Sequence, residues 1–405
     1  MTTKMSFNKV PTLTPLALAL SSCMLAPSFA NAGDNFTEAL TGGKANVDIT
    51  IRYESVDQDG LSNGSAFTER TRIGYKTGDY KGFSAFVEMS GTESIGNRDD
   101  YFVPGGPDAG YDNTKGVVLD PAVTRLNQAW IGYDFSKTNL KAGKQRIILD
   151  NRFLGNVGWR QTEQVYNGFT AKIKEFDAVS FDYAYIAEQD TPLGTQVPMA
   201  THALKADIKA FPGATLTGYG YFVDKLDSTA DSQTMGARLK GSTALTEGFN
   251  LTYFAEYADQ SDYEDAPKNT GGDYYHFKLG GKFNGINAMI AQEKLGGDGT
   301  SSFQTPLATL HLYNGWADKF LSTPVKGLVD TYATVGTVVS GIKLAAAYHD
   351  FKSDKDSDNY GSEVNLLAAK KFGKNYLVGV KYADYSADTY ATDTSKLWIW
   401  TNINF

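Results

Sequence analysis

The sequence predicts an all-β protein that forms one closed antiparallel transmembrane β-barrel, with eighteen strands as the prediction and sixteen as the alternative. One observation is an alternation of apolar and polar residues over segments of about ten residues, the length of a tilted strand that crosses a bilayer. Another is the alternation of long and short connections between these segments, with both ends of the barrel domain on the short side. A large soluble β-sandwich or a secreted β-helix would also alternate, but neither explains the long-short order of the connections.

The strand pattern is clearest in ANVDITIRYE, where Val47, Ile49 and Ile51 alternate with polar residues such as Asp48 and Arg52. A period of two is the signature of a strand with one apolar face. The same pattern recurs in FTERTRIGYK, GFSAFVEMS, VSFDYAYIAE, NLTYFAEYA, DYYHFKLGGKF and NYLVGVKYADY.

The connections give the strand count. Long loops are predicted around 55–66, 91–123, 149–163, 188–200, 224–233, 259–273, 294–327, 352–361 and 385–394. Short turns are predicted at 77–82, 134–139, 174–178, 211–214, 243–248, 281–285, 337–341 and 371–375. Nine loops and eight turns join eighteen strands, and an even number is typical of bacterial outer-membrane barrels.

The N-terminus predicts an export signal over residues 1–32, with a single barrel domain over 33–405. Lys4 and Lys9 precede an apolar stretch, and Ala30-Asn31-Ala32 is a small-x-small cleavage site. An alternative interpretation takes Leu20-Ser21-Ser22-Cys23 as a lipoprotein signal with an acylated Cys23.

The composition excludes several classes of protein. After position 23 the chain has no cysteine, so disulfides and thiolate sites are excluded from the exported domain. Removing Lys4 and Lys9 changes the formal charge from −8 to −10. A chain this acidic is not expected to bind nucleic acid.

The final segment, LWIWTNINF, keeps the period of two up to Phe405. We expect this strand to pair with the first strand and close the sheet, because an open edge in lipid leaves backbone groups without partners. A terminal aromatic residue on an apolar face also resembles the signal read by the outer-membrane barrel assembly machinery, which makes that machinery an expected partner.

The polar faces of the strands predict a basic track along the lumen. Strand one sends Arg52 inward, and strand two sends Arg70 and Arg72, whereas Arg125 is placed before strand four and Lys144 and Arg146 in strand five. The following loop adds Arg152 and Arg160, and eight of the nine arginines precede position 161. Guanidinium groups suit carboxylates and phosphates. The alternative is that carboxylates such as Asp48, Glu54, Glu69 and Glu88 pair with these arginines and brace the wall.

Two loops are candidates for a constriction. The 91–123 loop contains PGGPDAGYDNTKG, and the 294–327 loop contains FQTPLATLHLYNGWADKFLSTP, which is too apolar for a free surface loop. We expect the second loop to fold into or over the barrel mouth, with a short helix.

No catalytic or metal site is predicted. The four histidines, His202, His276, His311 and His349, lack metal-ligand spacing. The acidic DFKSDKDSDNYGSE loop departs from a calcium loop at Asn359 and Asn365, which leaves a solvated loop that could meet divalent ions at the lipopolysaccharide surface. A lipid-hydrolysing barrel dependent on His276 or His202 and a plugged structural or adhesive barrel are the alternatives to a channel.

The segment RLNQAWIGYDFSKTNLKAGKQRIILDNRFLGNVGWRQTEQVYNGF, Arg125 to Phe169, resembles the alginate-export family of proteobacterial outer-membrane porins. Phe303 to Tyr332 and KYADYSAD are similar to porin-like proteins often grouped there. The resemblance implies an eighteen-strand monomeric barrel whose arginine-rich lumen conducts an anionic polysaccharide.

Together these features predict a passive porin in the outer membrane of a Gram-negative bacterium. The expected partners are outer-membrane lipid, lipopolysaccharide and an anionic small solute or saccharide, and no cofactor is required. The predicted pore-lining residues are Arg52, Arg70, Arg72, Arg125, Lys144, Arg146, Arg152 and Arg160.

Overall fold

The computed structural model describes residues 35–105, 111–267 and 270–405. The predicted export signal and Cys23 lie outside these residues, as does part of the PGGPDAGYDNTKG segment. No helix among the described residues is long and apolar enough to span a membrane. A six-residue helix, α1 (Phe36–Thr41), precedes the first strand and is capped by Asn35.

Eighteen strands form one closed antiparallel sheet, which confirms the predicted fold class and strand count. Every strand pairs with its neighbours in sequence, and β1 also pairs with β18. The strands are β1 (Lys44–Gln58), β2 (Gly64–Lys76), β3 (Phe83–Ser94), β4 (Val123–Phe135), β5 (Thr138–Gln145), β6 (Val165–Ile173), β7 (Val179–Asp190), β8 (Gln196–Phe211), β9 (Ala214–Val223), β10 (Ser232–Thr246), β11 (Phe249–Ser261), β12 (Gly272–Phe283), β13 (Ile286–Leu295), β14 (Leu328–Val339), β15 (Ile342–Lys352), β16 (Asn359–Phe372), β17 (Tyr376–Ala387) and β18 (Thr394–Asn404).

The closing pair runs from Asp48 opposite Asn404 to Gln58 opposite Thr394. Two further backbone hydrogen bonds join Val47 to Phe405, at 2.9 and 3.1 Å. Because every strand has partners on both sides, the sheet presents no unpaired edge to lipid.

The short turns follow from local sequence. At the β12–β13 turn, Asn284 and Gly285 both have positive φ, 47° and 83°. Ser340 and Gly341 repeat this at the β14–β15 turn, with φ of 51° and 77°. Two consecutive residues with positive φ form a two-residue turn whose backbone matches the twist of the flanking strands. These turns therefore join adjacent strands with only two residues.

The alternation sorts side chains between the lumen and the outer surface. On β2, Arg70 and Arg72 are buried inside the barrel, whereas Phe67 and Ile73 on the other face are exposed. The same sorting on β18 buries Trp398 and Trp400 and exposes Ile399. The predicted apolar outer face is therefore observed, whereas the inner face holds buried aromatic rings as well as the predicted charged side chains.

The nine connections on the long-loop side are numbered L1 to L9 in chain order, and three of them are much longer than the rest. L2 joins β3 to β4 (95–122), L3 joins β5 to β6 (146–164) and L7 joins β13 to β14 (296–327). L7 contains a 3-10 turn at Leu310–Leu312, where the sequence predicted a short helix. The loops predicted at 55–66 and 188–200 are shorter in the structure, 59–63 and 191–195, because the adjoining strands extend further.

Candidate functional site

L7 folds into the lumen, which confirms the prediction made from its apolar content. Phe303 and Leu307 are fully buried, and Phe320 packs on Phe351 of β15 with ring centroids 4.6 Å apart. The backbone amide of Ala317 donates to the Glu363 carboxylate of β16 at 2.9 Å. The loop is thus held by both apolar burial and hydrogen bonds to the wall.

L3 folds into the lumen from the opposite wall. Its Glu163 accepts hydrogen bonds from Arg146 at 2.7 Å and from Asn127 at 2.6 Å, and it lies 3.4 Å from Arg72. Burial alone would raise the pKa of this carboxyl, but Arg146 and Arg72 hold it well below its usual range. Glu163 is therefore ionised, and its contacts with Arg72 and Asn127 attach the end of L3 to the barrel wall.

L3 and L7 meet inside the barrel. Arg160 of L3 lies 2.8 Å from Glu54 of β1 and 2.9 Å from Asp318 of L7. Asp318 also contacts His311 at 2.6 Å and Lys396 of β18 at 3.0 Å. Burial raises the pKa of Asp318, but His311, Lys396 and Arg160 outweigh it, so the pKa lies well below its usual range.

Lys381 of β17 sits in a cage of indole rings beside this junction. Its ammonium lies 4.2 Å from the ring centroid of Trp159, 3.9 Å from that of Trp316 and 5.1 Å from that of Trp398. It also donates to Nε2 of His311. Cation–π attraction strengthens when the cation is desolvated, so this buried lysine links L3, L7 and the wall.

The predicted arginines lie inside the barrel, but their guanidinium groups already form ion pairs with carboxylates or hydrogen bonds with backbone carbonyls. Arg52 pairs with Asp120 of L2, and Arg70 pairs with Asp48. Arg152 lies 2.8 Å from Glu293 of β13. These contacts correspond to the bracing alternative, because a guanidinium that is already paired and buried is a poor partner for a passing solute.

Two predicted positions differ in the structure, and a third, Lys144, lies within β5 as predicted. Arg125 lies within β4 and donates to the Thr191 carbonyl at 3.1 Å, and Arg146 immediately follows β5 instead of lying within it. Lys144 pairs across the ladder with Ala129 and lies on the face of β5 opposite to Lys141. Its ammonium contacts the buried Asp190 at 2.5 Å, so this predicted pore residue is already paired with a carboxylate.

The lumen does contain open lysines, on strands outside the predicted arginine track. Lys240 of β10, Phe254 of β11 and Lys278 of β12 lie on one rung of the ladder, facing inward beside the buried Glu256. The Lys278 ammonium lies 4.5 Å from the Phe254 ring centroid. Within the described chain, no carboxylate lies within 4.0 Å of either ammonium. We call these three residues the lysine-phenylalanine rung.

The rung adjoins an open space under L7. A small cavity of about 60 Å³ is lined by Lys278, Glu293, Trp316, Tyr332 and His349. Trp130 of β4 gives a second site of similar composition, with the ammonium of Lys141 4.5 Å and that of Lys76 6.0 Å from its ring centroid. The period of two along β10, β11 and β12 is the sequence signal for the rung, but its two lysines lie far apart in the chain and form no cluster like that of the arginines.

No metal or catalytic centre emerges from the parts of the chain that the structure describes. They contain no group of three or more His, Cys, Asp or Glu side chains arranged to hold a metal ion. His202 faces outward, with its Nδ1 2.9 Å from the Tyr183 hydroxyl. In the acidic loop after β15, Asp356 and Asp358 are paired with Lys326, at 3.1 and 2.7 Å.

No protein-family model matches the chain, and no curated protein sequence matches it either. Solved structures do match its fold. OccAB2 of Acinetobacter baumannii has a TM-score of 0.74 and 15% identity, covering 91% of this chain and 99% of that one. OccD3 (OpdP) of Pseudomonas aeruginosa has a TM-score of 0.69 and 15% identity, covering 91% and 92%.

OpdK of Pseudomonas aeruginosa, solved with vanillate, has a TM-score of 0.72 and 10% identity, covering 89% of this chain and 98% of that one. At these identities the likeness shows a shared fold. It supports a porin-like barrel and gives no support to the alginate-export family that the sequence resembled.

Proposed function

We propose that the chain is an outer-membrane channel of a Gram-negative bacterium, through which small anionic solutes diffuse passively. The observation that carries the anionic preference is the lysine-phenylalanine rung, in which two lumen-facing ammonium groups without carboxylate partners flank an aromatic ring. The closed eighteen-strand barrel supports the channel, because only a closed sheet satisfies its backbone within lipid.

The loops narrow the extracellular half of this channel. L3 and L7 cross the lumen and meet at Arg160 and Asp318, so a solute must pass beside them to reach the rung. Because the arginines near L3 are already paired, they shape the passage and leave the binding of anions to the open lysines. A few weak sites in series allow both entry and release.

The composition of the rung favours small organic carboxylates. A carboxylate can accept hydrogen bonds from Lys240 or Lys278 while an apolar or aromatic body lies on Phe254. Vanillate, the molecule in the OpdK structure, is an aromatic carboxylate and fits this description. An alginate exporter was the finer assignment suggested by the sequence resemblance, and the rung gives no reason to prefer a polymer.

The test is the reversal potential of the refolded protein in planar bilayers under a salt gradient. We expect anion selectivity that falls in a Lys240→Gln/Lys278→Gln variant. Lys174→Gln, in the turn after β6 and outside the lumen, is the matched control and should leave selectivity unchanged. Cation selectivity in the unmodified protein, or equal selectivity in both variants, would contradict the proposal.

A plugged barrel is the second candidate, because L3 and L7 are both buried and joined to each other inside the lumen. It predicts bilayers without conductance steps, whereas the channel predicts steps. The same recording therefore separates the two functions.

A further inference from the structure

The outer face of the barrel carries an apolar trough between β14 and β17. Two small residues, Ala346 of β15 and Ala368 of β16, lie where the surrounding positions are large. The depression there has a volume of about 560 Å³. Across the ladder the outward rows are Val335, Ala346, Leu366 and Tyr382, followed toward the short turns by Thr337, Leu344, Ala368 and Val380.

The trough is apolar and exposed to the surroundings of the barrel. Val335 is 47% exposed, Leu366 47% and Val380 40%, although all three are large and hydrophobic. Side chains on this face meet the acyl chains of lipid, and a depression between two alanines gives one chain a continuous contact surface.

A cation lies at one end of the trough. Lys370 follows Ala368 by two residues on β16, so it shares the outward face, and it pairs across the ladder with Ile342 and Val378. Lys371 and Lys374 lie at the same end, beside the β16–β17 turn. In the described residues, no carboxylate lies within 4.0 Å of the Lys370 ammonium, which faces the Phe372 ring at 5.5 Å.

We propose that the trough is a binding site for one glycerophospholipid of the periplasmic leaflet, with an acyl chain over Ala346 and Ala368 and its phosphate against Lys370. The short turns mark the periplasmic end of such barrels, so the cation lies at the depth of that leaflet's phosphates. Lysine is a compact donor for phosphate, and basic residues at a membrane surface attract anionic headgroups.

Charge also decides between a lipid and a second copy of the chain. A twofold contact between two copies through this face would bring both Lys370 side chains toward one another. Like charges oppose such a contact, whereas a phosphate complements them. The site is independent of which solute the lumen conducts.

The experiment is native mass spectrometry of the protein released from nanodiscs that contain phosphatidylglycerol or a diacylglycerol with the same acyl chains. Both probes carry the acyl chains, and only phosphatidylglycerol carries the phosphate. The variants are Ala368→Leu, which fills the trough, and Lys370→Gln, which removes the cation. Ala237→Leu, at an exposed outward alanine of β10, is the matched control.

We expect retained phosphatidylglycerol to exceed retained diacylglycerol, and Lys370→Gln to reduce the apparent affinity for phosphatidylglycerol by roughly fivefold. Ala368→Leu should reduce retention of both probes, and Ala237→Leu should change neither. Equal retention by all variants would overturn the proposal. A dimer that Ala368→Leu dissociates would also overturn it, in favour of a second copy on this face.

Discussion

The indole ring of Trp159 in L3 lies parallel to the imidazole ring of His311 in L7, with ring centroids 5.1 Å apart and an interplanar angle of 6°. Each ring belongs to a different long loop, so the stack joins two segments that enter the lumen from different walls. Trp400 of β18 meets the same indole edge-on, at 5.3 Å and 87°. Trp159 therefore adds one aromatic contact to the ion pairs and hydrogen bonds that hold both loops in the lumen.

Breaking this stack should weaken the contact between the two loops, which the ion pair between Arg160 and Asp318 still joins. In a double-mutant cycle of Trp159→Ala and His311→Ala, we expect a coupling energy of about 1 kcal/mol in the free energy of unfolding. Urea unfolding of the vesicle-reconstituted protein measures it. Additive effects of the two changes would show that the stack does not hold the loops together.

Acid should weaken the junction of L3 and L7. Burial lowers the pKa of His311 to about 3, an effect that Lys381 and Arg160 reinforce and Asp318 opposes. A released His311 would titrate near its ordinary value of 6.5. Between these values the released loop binds more protons than the packed loop, so stability of the packed state falls as the pH falls.

The groups that face this imidazole come from every element at the junction, including Glu54 of β1 and Lys396 of β18 behind Asp318. We expect more frequent transitions between conductance levels as the pH is lowered from 7 to 4, recorded in single-channel traces. A His311→Gln variant should show a weaker dependence over that range. Identical pH profiles in the two proteins would argue against His311 as the titrating group.

Glu163→Gln should release positive charge into the lumen. The carboxylate lies 2.6 Å from Arg146 and 3.4 Å from Arg72, and its loss leaves two guanidinium groups without their main partner. Breaking a buried ion pair costs about 3–5 kcal/mol, so we expect a lower unfolding free energy together with stronger anion selectivity.

Urea unfolding and reversal potentials measure these two effects of Glu163→Gln. The control is Asp177→Asn, whose exposed side chain pairs with Lys137 at 3.5 Å in a turn. It should change neither quantity. A stable variant with unchanged selectivity would show that Glu163 does not neutralise the arginines.

Phe254→Leu should distinguish aromatic from aliphatic carboxylates. Leucine keeps an apolar surface between Lys240 and Lys278 but removes the ring that a planar solute could contact. We expect the half-blocking concentration of benzoate, measured as a reduction of chloride current, to rise about two- to tenfold, with little change for acetate. Equal changes for both solutes would assign the effect to pore geometry.

Local pattern was sufficient for the architecture. The period of two in segments such as β2 placed Arg70 and Arg72 inside and Ile73 outside, because adjacent residues of a strand point to opposite faces whatever the rest of the chain does. The spacing of loops and turns likewise gave eighteen strands. The apolar content of L7 indicated that it must be buried, since exposed hydrophobic side chains are costly in water.

Partners distant in sequence could not be deduced in this way. Arg72 meets Glu163, and Arg152 meets Glu293, only because L3 folds back across the lumen, so a cluster of arginines read as an open track became a braced wall. Lys144 likewise meets Asp190 only because the folded sheet brings β5 and β7 close together. The sequence by itself determined the strands, their count and the side to which most residues point, since these are properties of neighbours in the chain. The tertiary structure decided which charges remain open to a solute, because a charge is open or neutralised according to what the folded chain brings beside it.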